Sequence, residues 1–90
     1  MPDYKVPVND YLFLFNDVLD MQSQYKNVQG GDEASNDMVE AIFTEAAKFC
    51  ENELAPIYQS GDDGCTWDDG VVTTPAGFKE AYQKFIEAGW

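Results

Sequence analysis

Chemistry is easiest to look for in the stretch GDDGCTWDDG, residues 61 to 70, which sets Asp62, Asp63, Asp68 and Asp69 around Cys65 and Trp67. Loops rich in carboxylate oxygens bind calcium. An EF-hand loop, however, needs acids at alternating positions and a closing Glu, and neither is present. Two Asp-Gly turns on a solvated loop account for the same residues, and no metal ligand is assigned. A calcium-responsive loop is the minor alternative, and Trp67 between the two Asp pairs would report on it. Cys65 has acids as neighbours, which raise a thiol pKa and oppose a nucleophilic thiolate. The chain has no His, so the usual general base and the commonest metal ligand are both missing. It has no Arg either, and so no bidentate clamp for phosphate or carboxylate. Ser35, Ser60 and the threonines lack a base to activate them. QGGDE, residues 29 to 33, follows no strand and opens no phosphate-cradling turn. No catalytic, cofactor-binding or metal residue is assigned.

Any such residues must be carried by a small chain. Ninety residues make one domain at most and bury only about 60–65% of the surface exposed on unfolding. Six Phe, five Tyr and two Trp are too many large apolar groups for a solvated tail. The formal net charge of −12 repels phosphate and anionic membranes, which argues against a nucleic-acid partner. No run approaches the ~18 apolar residues of a membrane span, and the first residues show no signal pattern, so a cytoplasmic location is expected. Cys50 and Cys65, fifteen apart, match no zinc spacing and are expected as free thiols. A disulfide, the alternative, would imply an oxidising compartment.

The pattern predicts a mainly α chain of three helices, with a small β-hairpin between the second and third. Pro2 and Pro7 make the lead extended. The first helix runs through VNDYLFLFNDVLDMQ, residues 8 to 22, capped by Asn9 or Asp10. Phe15, Val18, Leu19 and Gln22 recur at helical spacing. Tyr11 to Phe15 are five large apolar residues in a row, a turn that must be enclosed on all sides. Gly30-Gly31 is the flexible point of the connection that follows.

The second helix runs from about Ser35 to Pro56, capped by Ser35, Asn36 or Asp37. Its apolar stripe is Val39, Ile42, Phe43, Ala46, Cys50 and Leu54. Residues 57 to 73 read as a loop in which Cys65–Trp67 pairs with Val71–Thr73 across Asp68-Asp69-Gly70. Thr74 and Pro75 announce the third helix, whose apolar face is Phe78, Ala81, Tyr82, Phe85 and Ile86. Gly89 stops it in a left-handed turn over which Trp90 can fold back. The aromatic residues Tyr11, Phe13, Phe15, Phe43, Phe49, Phe78, Tyr82 and Phe85 are expected as core, and the acids as a solvated surface.

Against this reading stands a resemblance. YKVPVNDYLFLFNDVLD is similar to the N-terminal extension of a group of bacterial acyl-CoA dehydrogenases. Its pattern of Tyr-x-x-Pro, Asp, Phe-x-Leu and Val-Leu falls here on Tyr4, Pro7, Asp10, Phe13 with Leu14-Phe15, and Val18-Leu19. EAAKFCENELAP resembles the first helix of that family's catalytic region, ending at Leu54-Ala55-Pro56. VVTTPAGFKEAYQKFIEAGW resembles its Thr-Pro-x-Gly-Phe-Lys-x-Ala-Tyr and Gly-Trp segment, the most specific part. The likeness covers essentially all 90 residues in order and points to the longer, methylmercaptopropionyl-CoA dehydrogenase type.

The resemblance implies the N-terminal part of an all-α domain: an N-terminal extension with the first helix over 1–29, then the start of the domain proper over 30–90. It implies a parent enzyme that oxidises an acyl-CoA to its 2,3-enoyl form with FAD, as a homo-oligomer. In that family the carboxylate base, which removes the α-proton, and most of the flavin contacts lie in later domains, so nothing catalytic transfers to these residues. Trp90 then reads as a junction, and the remainder of the parent polypeptide as the chain's partner. If any residue here meets an acyl tail, the face of Phe78, Tyr82 and Phe85 is the first place to look. The reading from a different class is a free-standing acidic helical interaction module.

Overall fold

A computed structural model describes residues 3–90. The chain is mainly helical with one small antiparallel hairpin. It forms two compact units, Met1–Lys48 and Phe49–Trp90.

In the first unit, residues 3–7 have no regular structure, and at Pro7 the Val8 amide donates to the Val6 carbonyl at 2.8 Å, closing a tight turn where an extended lead was expected; Met1 and Pro2 lie outside the described residues. Helix α1 spans Val8–Phe13 and continues into a π-helical turn over Leu14–Val18. There the Leu19 amide donates to the Leu14 carbonyl at 2.8 Å, one residue further back than in an α-helix. The expected helix to Gln22 is therefore interrupted. Asp20 takes a left-handed conformation at φ 47°, one that Asp tolerates better than most residues. Helix α2, Met21–Tyr25, starts anew after it. No side chain caps α1, so neither Asn9 nor Asp10 serves as its cap; Pro7 precedes it, and its carbonyl accepts from the Asp10 and Tyr11 amides.

Two contacts order the connection to the next helix. The Gln22 side-chain amide donates to the Ala34 carbonyl at 2.9 Å. Gly31 lies so close to Tyr25 that a Cβ would clash with the Tyr25 carbonyl oxygen. Gly31 thus permits a close backbone approach, and Gly30, at φ 78°, supplies the left-handed residue. Helix α3, Asn36–Phe49, begins after Ser35, whose hydroxyl accepts from the Met38 amide at 3.2 Å. Of the three expected cap residues, Ser35 is the one used. Phe43 on α3 stacks on Tyr11 at 5.5 Å and meets Phe15 edge-on at 5.0 Å.

The second unit opens with another π-helical turn, Cys50–Leu54, followed by a 3-10 turn over Ala55–Ile57. Pro56 sits at the start of that 3-10 turn, where a missing N–H costs little. Helix α4, Tyr58–Asp63, replaces part of the expected loop. Its Ser, Gly and Asp are poor helix formers, so local propensity concealed it. Tertiary packing supplies the reason: a Cβ on Gly61 would lie 3.0 Å from the ring of Phe78. Strands β1, Thr66–Asp68, and β2, Val71–Thr73, pair antiparallel. Helix α5, Phe78–Glu87, ends the unit. It starts after Gly77, in a left-handed conformation at φ 89°, three residues later than Thr74 and Pro75 announce. At its far end Gly89, also at φ 89°, donates to the Ile86 carbonyl while the Trp90 amide donates to that of Phe85. This is the paired closure of a Schellman motif, as the Gly-Trp ending leads one to expect.

The expected core is only partly built. Ala47 and Ala81 are the buried apolar side chains among the described residues, and no large side chain is fully buried. Phe15, Phe43 and Phe49 are half-buried. Tyr11, Phe13, Phe78, Tyr82 and Phe85, assigned to the core from their spacing, remain exposed to solvent. Spacing reports which residues share a helix face; it does not report whether anything covers that face. For the run Tyr11 to Phe15 the enclosure is incomplete: Leu12 and Phe15 are half-buried, while Tyr11, Phe13 and Leu14 are open.

Candidate functional site

The residues singled out for chemistry belong mostly to the second unit. Asp62 and Asp63 end α4, and Gly64 at φ 86° turns the chain toward β1. Asp68 closes β1, and Asp69 and Gly70 form the hairpin turn, both left-handed at φ 49° and 81°. Two successive positive φ values make a two-residue type I′ connection. The register is Thr66 opposite Thr73, Trp67 opposite Val72 and Asp68 opposite Val71. The strand therefore lies one residue later than expected. Asp68 belongs to the ladder, and Cys65 lies outside it, because a two-residue turn matches the twist of the strands better than a three-residue one here.

Among the described residues, no three acids or cysteines converge in a way that could hold a metal ion. Cys50 is half-buried and Cys65 exposed, both as free thiols. The Ser60 hydroxyl donates to the Ala76 carbonyl at 2.6 Å, which commits it to joining α4 to the segment before α5. Ser35 is occupied in capping α3.

Trp67 and Val72 face each other directly across the ladder, on one side of the hairpin. Both stand open to solvent, Trp67 at 71% exposure and Val72 at 62%. On α5, Tyr82 stacks on Phe85 at 6.3 Å, and Phe85 meets Phe49 at 5.9 Å. Phe78 lies over Gly61. The aromatic face named from the sequence thus divides its work: Phe78 and Phe85 hold the unit together by one edge, and Tyr82, at 65% exposure, presents its ring outward.

One relationship escaped sequence reasoning. Lys84 on α5 donates to Glu53, in the Cys50–Leu54 turn, at 2.8 Å. The hydrogen bond from Lys84 to Glu53 and the attraction of that carboxylate raise the Lys84 pKa; desolvation partly opposes them, and Glu87 adds a smaller upward push. The partners are separated by a helix and a hairpin, so no i, i+4 rule connects them. This surface offers apolar rings, valines and carboxylates.

No family model matches the chain. It is similar to one characterised enzyme. Over 88 residues it is 33% identical to 3-methylmercaptopropionyl-CoA dehydrogenase of Ruegeria pomeroyi. The match takes in 97% of this chain and 15% of that protein. The chain thus spans a small part of the relative's length.

Proposed function

We propose that this chain is an N-terminal, non-catalytic helical segment of a flavin-dependent acyl-CoA dehydrogenase, a homo-oligomeric cytoplasmic enzyme that oxidises an acyl-CoA to its 2,3-enoyl form. The observation that carries the proposal is the 33% identity sustained over 97% of the chain. The uncovered apolar faces of α1 and α5 support it, since a segment meant to pack on further polypeptide leaves such faces open. The role of the segment is scaffolding.

FAD supplies the hydride acceptor in such an enzyme. The side chains here do not suit it. There is no Arg, Lys is scarce and acids abound, so the flavin's pyrophosphate would meet repulsion. No glycine-rich turn offers backbone amides to it. The flavin is therefore assigned to other parts of the parent enzyme, and no step of the oxidation to residues 1–90.

Expression of the full gene product tests the reading. The expected result is a yellow protein that reduces an electron acceptor when given an acyl-CoA. A product with no flavin absorbance and no acyl-CoA-dependent reduction rejects it.

A further inference from the structure

We propose that the β1–β2 hairpin is a docking surface for a cationic patch of the parent polypeptide outside residues 1–90, with Trp67 as its anchor. The proposal rests on the reading of the chain as a segment of a longer enzyme.

Three observations carry it. The first is that the hairpin lacks cover. Each strand is three residues long, and all six are exposed. A two-stranded ribbon of that size is at best marginally stable alone in water, and packing against another element would stabilise it. The second is the composition of its open face. Trp67 and Val72 stand as a cross-strand pair, both well over half exposed. Tryptophan buried at the centre of an interface is among the strongest contributors to binding, while an exposed one costs solubility.

The third is charge, which selects the occupant. From Phe49 to Phe78 the chain carries no Lys or Arg, and it holds Asp62, Asp63, Asp68 and Asp69 on and just before the hairpin. Asp68, paired with Val71, lies on the side of the hairpin opposite Trp67, and a stretch this acidic repels nucleic acid and anionic lipid. A second copy of this segment would bring the same acids to the contact, and each copy carries a formal charge of −12. A polypeptide surface bearing lysine or arginine around an apolar centre is what complements it. The match with the characterised enzyme leaves 85% of that protein's length, the balance of the 15% covered, as a source for such a surface.

The test uses the full gene product. Hydroxyl-radical oxidation of Trp67, read by mass spectrometry, is compared between the native and urea-unfolded protein. Native oxidation about tenfold slower is expected, as for a docked site open a tenth of the time. That protection should fall in about 0.5 M salt, and in the Asp68→Asn/Asp69→Asn variant. Carbodiimide coupling, which joins carboxylates to lysine amines, should link Asp68 or Asp69 to a lysine beyond residue 90. Oxidation of Trp67 at the unfolded rate overturns the proposal, as does protection that ignores both salt and the Asn substitutions. Links confined to residues 1–90, or joining two copies of them, overturn it as well. Flavin content and acyl-CoA oxidation are measured on the same sample. Their absence, with Trp67 protected, rejects the enzyme reading and leaves the docking surface standing.

Discussion

Lys84 reaches back from α5 to Glu53 at 2.8 Å, and the next residue, Phe85, sets its ring 5.9 Å from Phe49. An ion pair and a ring pair thus lie side by side, and together they fasten α5 to the turn that opens the second unit.

The ion pair has a pH signature. Glu53 raises the Lys84 pKa above the ordinary 10.5. A raised cationic pKa means that the stabilisation is fully present below the unfolded value and is lost as pH climbs through the folded one. Lys84→Gln should therefore lower the melting temperature slightly at neutral pH. The gap to the parent should close in strongly alkaline solution and in high salt. A gap that widens with alkali would contradict the assignment.

Phe85→Ala removes the ring contacts to both Phe49 and Tyr82. Phe85 is 40% exposed, so the loss falls short of the full core value and should be about 2 kcal/mol. Amide exchange across Phe78–Glu87 in the full gene product measures it. Protection unchanged to within about 0.5 kcal/mol would show that the ring pair does not hold the helix.

Two glycines should respond differently to a methyl group. Gly31→Ala drives a Cβ into the Tyr25 carbonyl oxygen, and the backbone must shift, at about 2–3 kcal/mol. Gly70→Ala meets open space and only the left-handed strain, about 1 kcal/mol. Chemical melts of the two variants should keep that order.

At the start of α3, Ser35→Ala removes the acceptor for the Met38 amide and should cost about 1 kcal/mol. Ser35→Asp should restore most of it. Equal loss in both variants would mean that the hydroxyl is not acting as a cap.

Much of this fold was legible because its signals are local. The stripe of Val39, Ile42, Phe43 and Ala46 announces α3, the DDG sequence announces a hairpin, and Gly89 announces the close of α5. The misses have a common physical origin in contacts between residues distant in sequence. Helix α4 exists against the propensity of Ser60, Gly61 and Asp62 because Phe78 packs on it, and nothing within a helical window records that. The break at Asp20 follows from the wide turn before it, which shifts the phase on which the continuous reading to Gln22 relied. The pairing of Glu53 with Lys84 joins two acids-and-lysines stretches that look solvated when read alone. On α5 the sequence places Phe78, Ala81, Tyr82, Phe85 and Ile86 along one face, but of these only Ala81 is buried, so the expectation of a core there is not met. The sequence could not tell that Tyr82 would be left facing outward.

The two π-helical turns bear on which length changes the chain can absorb. Each holds about one residue more than an α-helical turn; the first is followed by the break at Asp20, while the second runs on into Ala55–Ile57, so removing one residue from Cys50–Leu54 should leave an ordinary helical turn behind. The deletion is not silent, however. A deletion inside the turn that carries Glu53 changes which side chain stands opposite Lys84, so the Glu53–Lys84 pair is the contact it puts at risk. Related chains that differ by one residue at this point should therefore have lost that ion pair, or moved the acid to recover it.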